Sequence, residues 1–164
     1  MILIMNYFKI SLGIFMVLAA SRFVPHPPNF TSLIALSFYI PVFLGLRYLP
    51  ALIISFAITD FFIGYHGLTH WTWGSVFLIG IISQYFNINK FYRLFGASFS
   101  VLIFFFITNF GVWVGGSYGY TVEGLINCYL LAIPFLGNNL LATFIFSLII
   151  ETIRAYYKKF LQTN

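Results

Sequence analysis

LFGASFSVLIFFFITNFGVWV, residues 94–114, is the stretch of sequence that decides the fold class. It runs for 21 residues without a single Asp, Glu, Lys or Arg. A helix that crosses the hydrocarbon core of a bilayer needs about 20 such residues. The apolar residues are continuous instead of alternating with polar ones, which disfavours a strand of a β-barrel. The stretch therefore predicts a membrane-spanning α-helix.

The rest of the chain has the same character. Of its 164 residues, 61% are hydrophobic and 7% are charged. Soluble domains carry about 25% charged residues, so this composition excludes a soluble domain. The net charge of +5 is not gathered into a dense basic segment, which excludes nucleic-acid binding. A single cysteine, Cys128, excludes an internal disulfide and a cysteine-based metal cluster.

Hydropathy predicts an all-α membrane bundle of six transmembrane helices in one domain, residues 1–164. The six spans cover residues 7–23, 31–46, 48–65, 71–86, 94–114 and 136–156. The first span lacks a small-residue cleavage site, so we expect it to be a retained helix and not a signal peptide. Residues 121–134 are apolar but contain Glu123 and end in Pro134. We expect this segment to be re-entrant or interfacial.

The basic residues predict the orientation of the bundle. With six spans, one side holds seven of the eight basic residues and the other holds only Arg22. Cytoplasmic loops carry an excess of Lys and Arg, so both termini are expected in the cytoplasm. A seventh span through residues 121–134 would export Arg154, Lys158 and Lys159, against this rule.

With both termini in the cytoplasm, the connections after the first, third and fifth spans face outward. Asp60, near the outer end of the third span, is the most informative residue on this side. It lies within an apolar helix, where an ionised carboxylate costs about 2.5–3.5 kcal/mol at the bilayer centre. Such residues usually mark a substrate or ion path. The alternative is a helix-end carboxylate that is paired with Arg22 for structure alone. Both interpretations predict that Arg22 and Asp60 lie close together on the outer side.

The proline-rich stretch after the first span supplies two further candidates. PHPPN, residues 25–29, is stiff because each proline fixes its own φ and restricts the residue before it. The stretch either presents His26 and Asn29 to a ligand, or lets Asn29 or Thr31 cap the second helix.

His66 and His70 are spaced four residues apart and raise the alternative of a metal site with Asp60. Gly67 lies between the two histidines and no further carboxylate is near in sequence, so we expect no metal and no other cofactor. The chain has no Gly-x-Ser-x-Gly elbow, His-Glu-x-x-His motif or phosphate-binding loop. We therefore expect a protein that is not an enzyme, and active transport would need a partner or an ion gradient.

Three outward stretches together resemble a known family. They are RFVPHPPNFT at 22–31, TDFFIGYH at 59–66 and TNFGVW at 108–113, the last continuing to Asn138. They are similar to a bacterial inner-membrane family described only as transport proteins. More distantly they resemble the substrate-binding S components of energy-coupling-factor transporters. The resemblance implies a six-helix protein that captures a vitamin or a metal from outside and docks onto an ATPase-containing energy-coupling module.

The sequence thus predicts an inner-membrane protein that binds a small molecule, vitamin-like or metal-related, at its outward face for uptake. The residues expected to line this site are Arg22, His26, Asn29, Asp60, His66, Asn109, Trp113 and Glu123. The alternatives are a membrane scaffold or assembly subunit, and a metal-dependent membrane enzyme that uses Asp60, His66 and His70. The expected partners are the lipid bilayer, a small-molecule substrate and an energy-coupling module, without nucleic acid.

Overall fold

A computed structural model describes residues 2–65 and 67–163, and within these residues the chain is helical and has no β-strand. The α-helices are α1 (Ile2–Phe23), α2 (Leu33–Leu44), α3 (Leu49–Ile63), α4 (Thr69–Ile82), α5 (Lys90–Val114), α6 (Val122–Leu131) and α7 (Ile133–Thr163). Short 3₁₀ turns at Leu46–Tyr48 and Ser83–Phe86 precede α3 and follow α4. The all-α prediction is confirmed, and every predicted span falls on a helical segment.

Three helical segments of the described chain are long and apolar enough to cross a membrane. They are Leu46–Ile63, Lys90–Val114 and Ile133–Phe160. Two further apolar helices, Leu33–Leu44 and Val122–Leu131, are shorter. Helices of this length and composition are typical of a membrane protein.

The distribution of polar and apolar side chains is inverted relative to a soluble protein. Large apolar side chains face outward, for example Phe8, Phe62 and Phe91, which are 66%, 71% and 75% exposed. The interior instead buries many polar side chains, among them Ser37, Ser75, Ser100, Asn139, Thr143, Ser147, Asp60, Arg93 and Glu151. Soluble proteins rarely expose such continuous apolar surface. An apolar exterior of this kind is typical of a membrane protein.

Local sequence explains where the helices begin and end. Asn89 caps α5 by accepting a hydrogen bond from the Tyr92 N–H, and Thr121 caps α6 in the same way through the Gly124 N–H, each at 3.0 Å. The α2 helix ends at Gly45, where φ is 93° and a side chain would be strained. These boundaries leave short connections between the helices.

The α2 helix occupies the middle of the bundle. It is buried from Leu33 to Val42 and packs against α4, α5 and α7. The α4 and α5 helices approach closely at Gly111, where an added Cβ would collide with the Trp71 indole. Gly111 begins a GVWVG pattern at 111–115, and small residues at this spacing are typical of closely packed membrane helices.

The long helix α5 defines two ends of the bundle. Arg93 lies in the first turn of α5, and Asn109 follows sixteen residues later, about 24 Å along the helix axis. A cavity of about 400 Å³ lies at the Arg93 end. We call it the basic cavity, and its charged lining residues are Lys90, Arg93, Glu151, Arg154 and Lys158.

Candidate functional site

Two adjoining cavities lie at the end of the bundle opposite the basic cavity. Their volumes are about 260 and 320 Å³. They share the lining residues Asn29, Thr72, Phe104 and Asn139, so we treat them as one cleft. The cleft is formed by the end of α1 and the loop after it, the starts of α2 and α4, the ends of α3 and α5, and α6 with the start of α7. Its size suits a small molecule.

Four of the residues predicted from the sequence line the first cavity, namely Arg22, His26, Asn29 and Asp60. A fifth, Asn109, lines the second. These residues come from α1, α3, α5 and the loop at residues 24–32, so only the tertiary fold brings them together.

Arg22 and Asp60 form a salt bridge, as the sequence predicted. The Nη2 atom of Arg22 lies 2.7 Å from Oδ1 of Asp60, and the two side chains are 13% and 9% exposed. Arg22 also donates to the Thr59 hydroxyl, and its guanidinium lies 4.6 Å from the centre of the Phe56 ring. The Arg22 side chain is therefore held on three sides at the wall of the cleft.

The second carboxylate oxygen of Asp60 is also satisfied. The indole Nε1–H of Trp73 donates to Oδ2 at 2.8 Å. Asp60 thus remains an acceptor that is paired with one cation and one neutral donor, and the cluster carries no net charge. Such an arrangement leaves a fixed dipole at the wall of the cleft without an unpaired buried charge.

The loop at residues 24–32 is fastened at its middle and across its ends. The Asn138 amide donates to the Pro28 carbonyl at 2.9 Å, and the hydroxyls of Ser21 and Ser32 lie 2.7 Å apart. His26 contacts the neighbouring Pro27 carbonyl through Nδ1 at 2.7 Å. The loop therefore holds its cleft-lining side chains in place.

Asn29 adopts a left-handed conformation with φ of 64°. Few residues other than Gly tolerate this region, and Asn is one of them. The proposal that Asn29 caps α2 is wrong, because Ser32 occupies the cap position. The Thr31 hydroxyl accepts a long hydrogen bond of 3.4 Å from the Leu33 N–H. Asn29 is instead directed to both cavities.

The second cavity combines amide, thiol and aromatic groups. Asn109 donates to the Phe105 carbonyl of its own helix at 2.8 Å, which leaves its amide oxygen as an acceptor. The Cys128 thiol donates to the Asn109 backbone carbonyl at 3.3 Å. Burial raises the pKa of this thiol, so that it stays protonated at neutral pH and acts as a donor.

Two predicted residues lie outside the lining of the cleft. The indole of Trp113 donates to the Thr121 carbonyl at 3.2 Å and connects the end of α5 to the start of α6. Glu123 is exposed in the first turn of α6, where a carboxylate complements the helix dipole. A third predicted residue, His66, lies outside the described residues.

The metal site proposed from Asp60, His66 and His70 finds no support in the described residues. No group of three His, Cys, Asp or Glu side chains among them is placed to hold a metal ion. The oxygens of Asp60 are occupied by Arg22 and Trp73. His70 is exposed and its ring lies 5.6 Å from that of Trp71.

Several lining residues were not predicted from the sequence. Asn139 is buried, 7% exposed, and reaches both cavities, as do Thr72 and Phe104. The adjacent Asn138 and Asn139 in an otherwise apolar segment were the available signal. Asn138 contacts the loop and Asn139 the cleft, a division of roles that the order of residues alone does not specify.

The chain was also compared with known proteins. The model of a family described as "Family of unknown function (DUF6580)" matches residues 4–163, which is nearly the whole chain. No curated protein matches the chain. No solved structure matches it either.

Proposed function

This chain belongs to DUF6580, a family of unknown function, and we propose that it is a membrane protein that binds a small polar molecule in the cleft for uptake. The observation that carries this proposal is the convergence of Arg22, Asp60, Asn29 and Asn139 on a cavity of small-molecule size. Asp60, the carboxylate among these groups, is already paired with Arg22 and Trp73. The set therefore suits recognition by hydrogen bonding and dipoles.

We further propose six membrane spans, formed by α1, α2, α3, α4, α5 and α7. The α6 helix then lies at the outer interface. Arg93 near the start of α5 pairs with Glu151 on α7, so α5 and α7 run in opposite directions and one helix between them does not cross. The distribution of charge supports this topology. Lys90, Arg154 and Lys158 line the basic cavity, and Arg22 lies at the other end. The positive-inside rule then makes the basic end cytoplasmic, together with both termini, and the cleft outward.

The lining of the cleft indicates the chemistry of the ligand. Amides of Asn29, Asn109 and Asn139 and the hydroxyl of Thr72 offer both donors and acceptors. Phe104, which lines both cavities, offers an apolar face. A neutral or zwitterionic molecule with a ring and several polar substituents, of the size of a water-soluble vitamin, fits this combination.

The distant resemblance to S components supports capture from outside as the role of this chain. The sequence has no nucleotide-binding motif. Energy for uptake would then come from an energy-coupling module or from an ion gradient.

Affinity selection tests the binding function. The purified protein is incubated with the polar metabolite fraction of a cell extract and washed, and the retained small molecules are identified by mass spectrometry. We expect one molecule to be retained in stoichiometric amount by the wild type. The Asn29→Ala and Asn139→Ala variants should lose it.

Asn127→Ala is the matched control, because Asn127 is an exposed asparagine of α6 that does not line the cleft. It should retain the molecule like the wild type. Equal retention by all four proteins would show that binding does not occur in the cleft and would overturn the proposal.

A further inference from the structure

The basic cavity contains more positive than negative charge. Its lining includes four cations and one carboxylate, namely Lys90, Arg93, Arg154, Lys158 and Glu151. Its volume of about 400 Å³ is within the range that is usual for pockets that bind small groups. Both oxygens of Glu151 accept hydrogen bonds from Arg93, from Nε at 2.5 Å and from Nη2 at 2.8 Å. The three other cations therefore give the cavity an excess of positive charge.

No other acidic side chain is placed to balance this excess. The chain has only two further acidic residues, Asp60 and Glu123. Asp60 is paired within the cleft, and Glu123 lies in the first turn of α6, beyond the far end of α5. Within the described part of the chain, Lys90, Arg154 and Lys158 form no salt bridge. The cavity is thus suited to an anion that comes from outside the chain.

The Arg154 guanidinium is held in place over an aromatic ring. It lies 4.0 Å from the centre of the Phe43 ring, and the Arg93 guanidinium lies 5.3 Å from the same centre. A guanidinium that is stacked on a ring keeps its N–H donors at its edge. Among the described residues, no group accepts a hydrogen bond from Arg154. These donors suit a phosphate, which a guanidinium can bind through two parallel hydrogen bonds.

The start of α5 contributes to the same cavity. The α5 helix begins at Lys90, and Asn87, Asn89 and Lys90 line the cavity. The N-terminus of a helix carries a partial positive charge and favours phosphate groups. The helix dipole and the cationic side chains therefore favour the same kind of ligand.

The surroundings of the cavity indicate a lipid as the source of the phosphate. Ile88, which lines the cavity, and Phe91, which follows Lys90, are 68% and 75% exposed. The 25 residues of α5 measure about 37 Å and the hydrocarbon core about 30 Å, so the ends of a spanning α5 reach the headgroups. Basic pockets between transmembrane helices bind the headgroups of anionic lipids on the cytoplasmic side. A soluble phosphate compound would gain nothing from the apolar side chains beside this cavity.

We propose that the basic cavity binds the phosphate group of an anionic membrane lipid. Arg154 binds the phosphate through paired N–H donors, and Lys90 and Lys158 attract it as point charges. The acyl chains then extend along the exposed apolar side chains of Ile88 and Phe91. The site goes beyond the proposed function, because its lining shares no residue with that of the cleft.

Native mass spectrometry of the full chain, purified in detergent micelles, tests this binding. The protein is titrated with phosphatidylglycerol, which is anionic, or with phosphatidylcholine, whose headgroup is zwitterionic. We expect the wild type to bind one phosphatidylglycerol roughly tenfold more tightly than phosphatidylcholine. The Lys90→Gln/Lys158→Gln variant should lose this preference. Both lysines are exposed and the Arg93–Glu151 pair is kept, so the variant should fold.

Lys9→Gln/Arg47→Gln is the matched control. It removes the same charge from two exposed side chains that do not line the cavity. It should bind phosphatidylglycerol like the wild type. Arg154→Lys tests the paired donors, because it keeps the charge and loses the planar guanidinium. This variant should bind phosphatidylglycerol several times more weakly.

Glycerol 3-phosphate distinguishes a lipid from a soluble phosphate compound. It carries a phosphate without acyl chains, so it should displace phosphatidylglycerol only in large excess. Displacement at equal concentration would overturn the lipid as the occupant. Equal affinity of the wild type for the two lipids, or equal losses in the cavity and control variants, would overturn the site itself. None of these results bears on the affinity selection, whose variants lie in the cleft.

Discussion

Arg22 and Asp60 lie on different helices, yet the sequence predicted their pairing. An ionised carboxylate in an apolar helix needs a cation nearby. On the side where Asp60 was expected, Arg22 was the only basic residue. The observed distance of 2.7 Å confirms the pairing. Scarcity of charge makes such contacts predictable, because few alternative partners exist.

Replacement of Asp60 by Asn should destabilise the protein strongly. It leaves the Arg22 guanidinium largely buried without its counter-charge. The loss of one partner of a buried ion pair costs about 3–5 kcal/mol, and the partial exposure of this pair places the expected value at the lower end. The Arg22→Gln/Asp60→Asn double variant should recover part of the loss. Denaturant unfolding in detergent micelles measures the free energy of unfolding.

Glu123→Gln provides the control for this substitution. Glu123 is also an acid, but it is exposed. Its replacement should change the free energy of unfolding by no more than about 0.5 kcal/mol. Equal losses in Asp60→Asn and Glu123→Gln would refute a structural role for the buried pair.

Trp73→Phe should cost more stability than Trp113→Phe. The first removes an N–H that donates to the Asp60 carboxylate at 2.8 Å, and hydrogen bonds to charged groups contribute about 1.5–3 kcal/mol. The second removes a bond of 3.2 Å to the neutral carbonyl of Thr121, a class of bond that contributes about 0.5–1.5 kcal/mol. Thermal unfolding of the two variants compares them. The reverse order would contradict the assignment of Trp73 to the Asp60 cluster.

The sequence mispredicted which residues line the cleft where the direction of a side chain decides whether it reaches the cleft. Asn109 and Trp113 are four residues apart on α5, and both were expected at the site. Asn109 lines the cleft, while the Trp113 indole turns to the Thr121 carbonyl. Asn139 was missed because its role depends on burial and not on a motif. Spacing identifies a helix face, but the rotation of the helix in the bundle comes from tertiary packing.

At the scale of helices, α6 is the element whose structure the sequence predicted least definitely. Residues 121–134 were expected to be re-entrant or interfacial, and the structure places a helix at Val122–Leu131 within them. Pro134 lies in the first turn of α7, where its missing N–H leaves no helical bond unmade. The proline therefore marks the start of the next helix. The Thr121 cap sets the start of α6.

Gly124→Ala should disturb the start of α6. An added Cβ would collide with the backbone carbonyl of Tyr118 and would lie 2.7 Å from that of Gly119. Backbone atoms cannot turn aside as a flexible side chain does, so either the turn or the helix must shift. We expect a loss of about 1–3 kcal/mol in the free energy of unfolding, measured in micelles.

Gly137→Ala is the matched substitution without a collision. Gly137 lies in α7, and an added Cβ would meet no atom within 4 Å. Alanine favours a helix over glycine by about 1 kcal/mol, so this variant should be as stable as the wild type or slightly more stable. If Gly137→Ala lost as much free energy of unfolding as Gly124→Ala, replacement of any glycine, and not the collision of the new Cβ, would explain the loss.

At the scale of the molecule, composition alone was sufficient to predict the helical membrane fold. An uncharged stretch as long as residues 94–114 has few alternatives to a spanning helix. The interior was less predictable. The four-residue period of Asn139, Thr143, Ser147 and Glu151 is visible in the sequence, but only their burial distinguishes an interior line from a lipid-facing or solvated one.

Cysteine labelling in spheroplasts tests the proposed topology. In a Cys128→Ser background, Tyr120→Cys and Ile88→Cys place a thiol at opposite ends of α5, at positions that are 75% and 68% exposed. A membrane-impermeant maleimide should label Tyr120→Cys in intact spheroplasts. It should label Ile88→Cys only after permeabilisation. Labelling of both from the same side would show that α5 does not cross the membrane.

Thr72→Cys, again in the Cys128→Ser background, places a thiol in the lining of both cavities of the cleft. A small, charged methanethiosulfonate reagent is added to intact spheroplasts, with and without the polar metabolite fraction of a cell extract. An outward cleft that binds a small polar molecule predicts modification from outside and a slower rate when the metabolites are present. A thiol that reacts only from the cytoplasmic side, or at a rate that the metabolites leave unchanged, would contradict it.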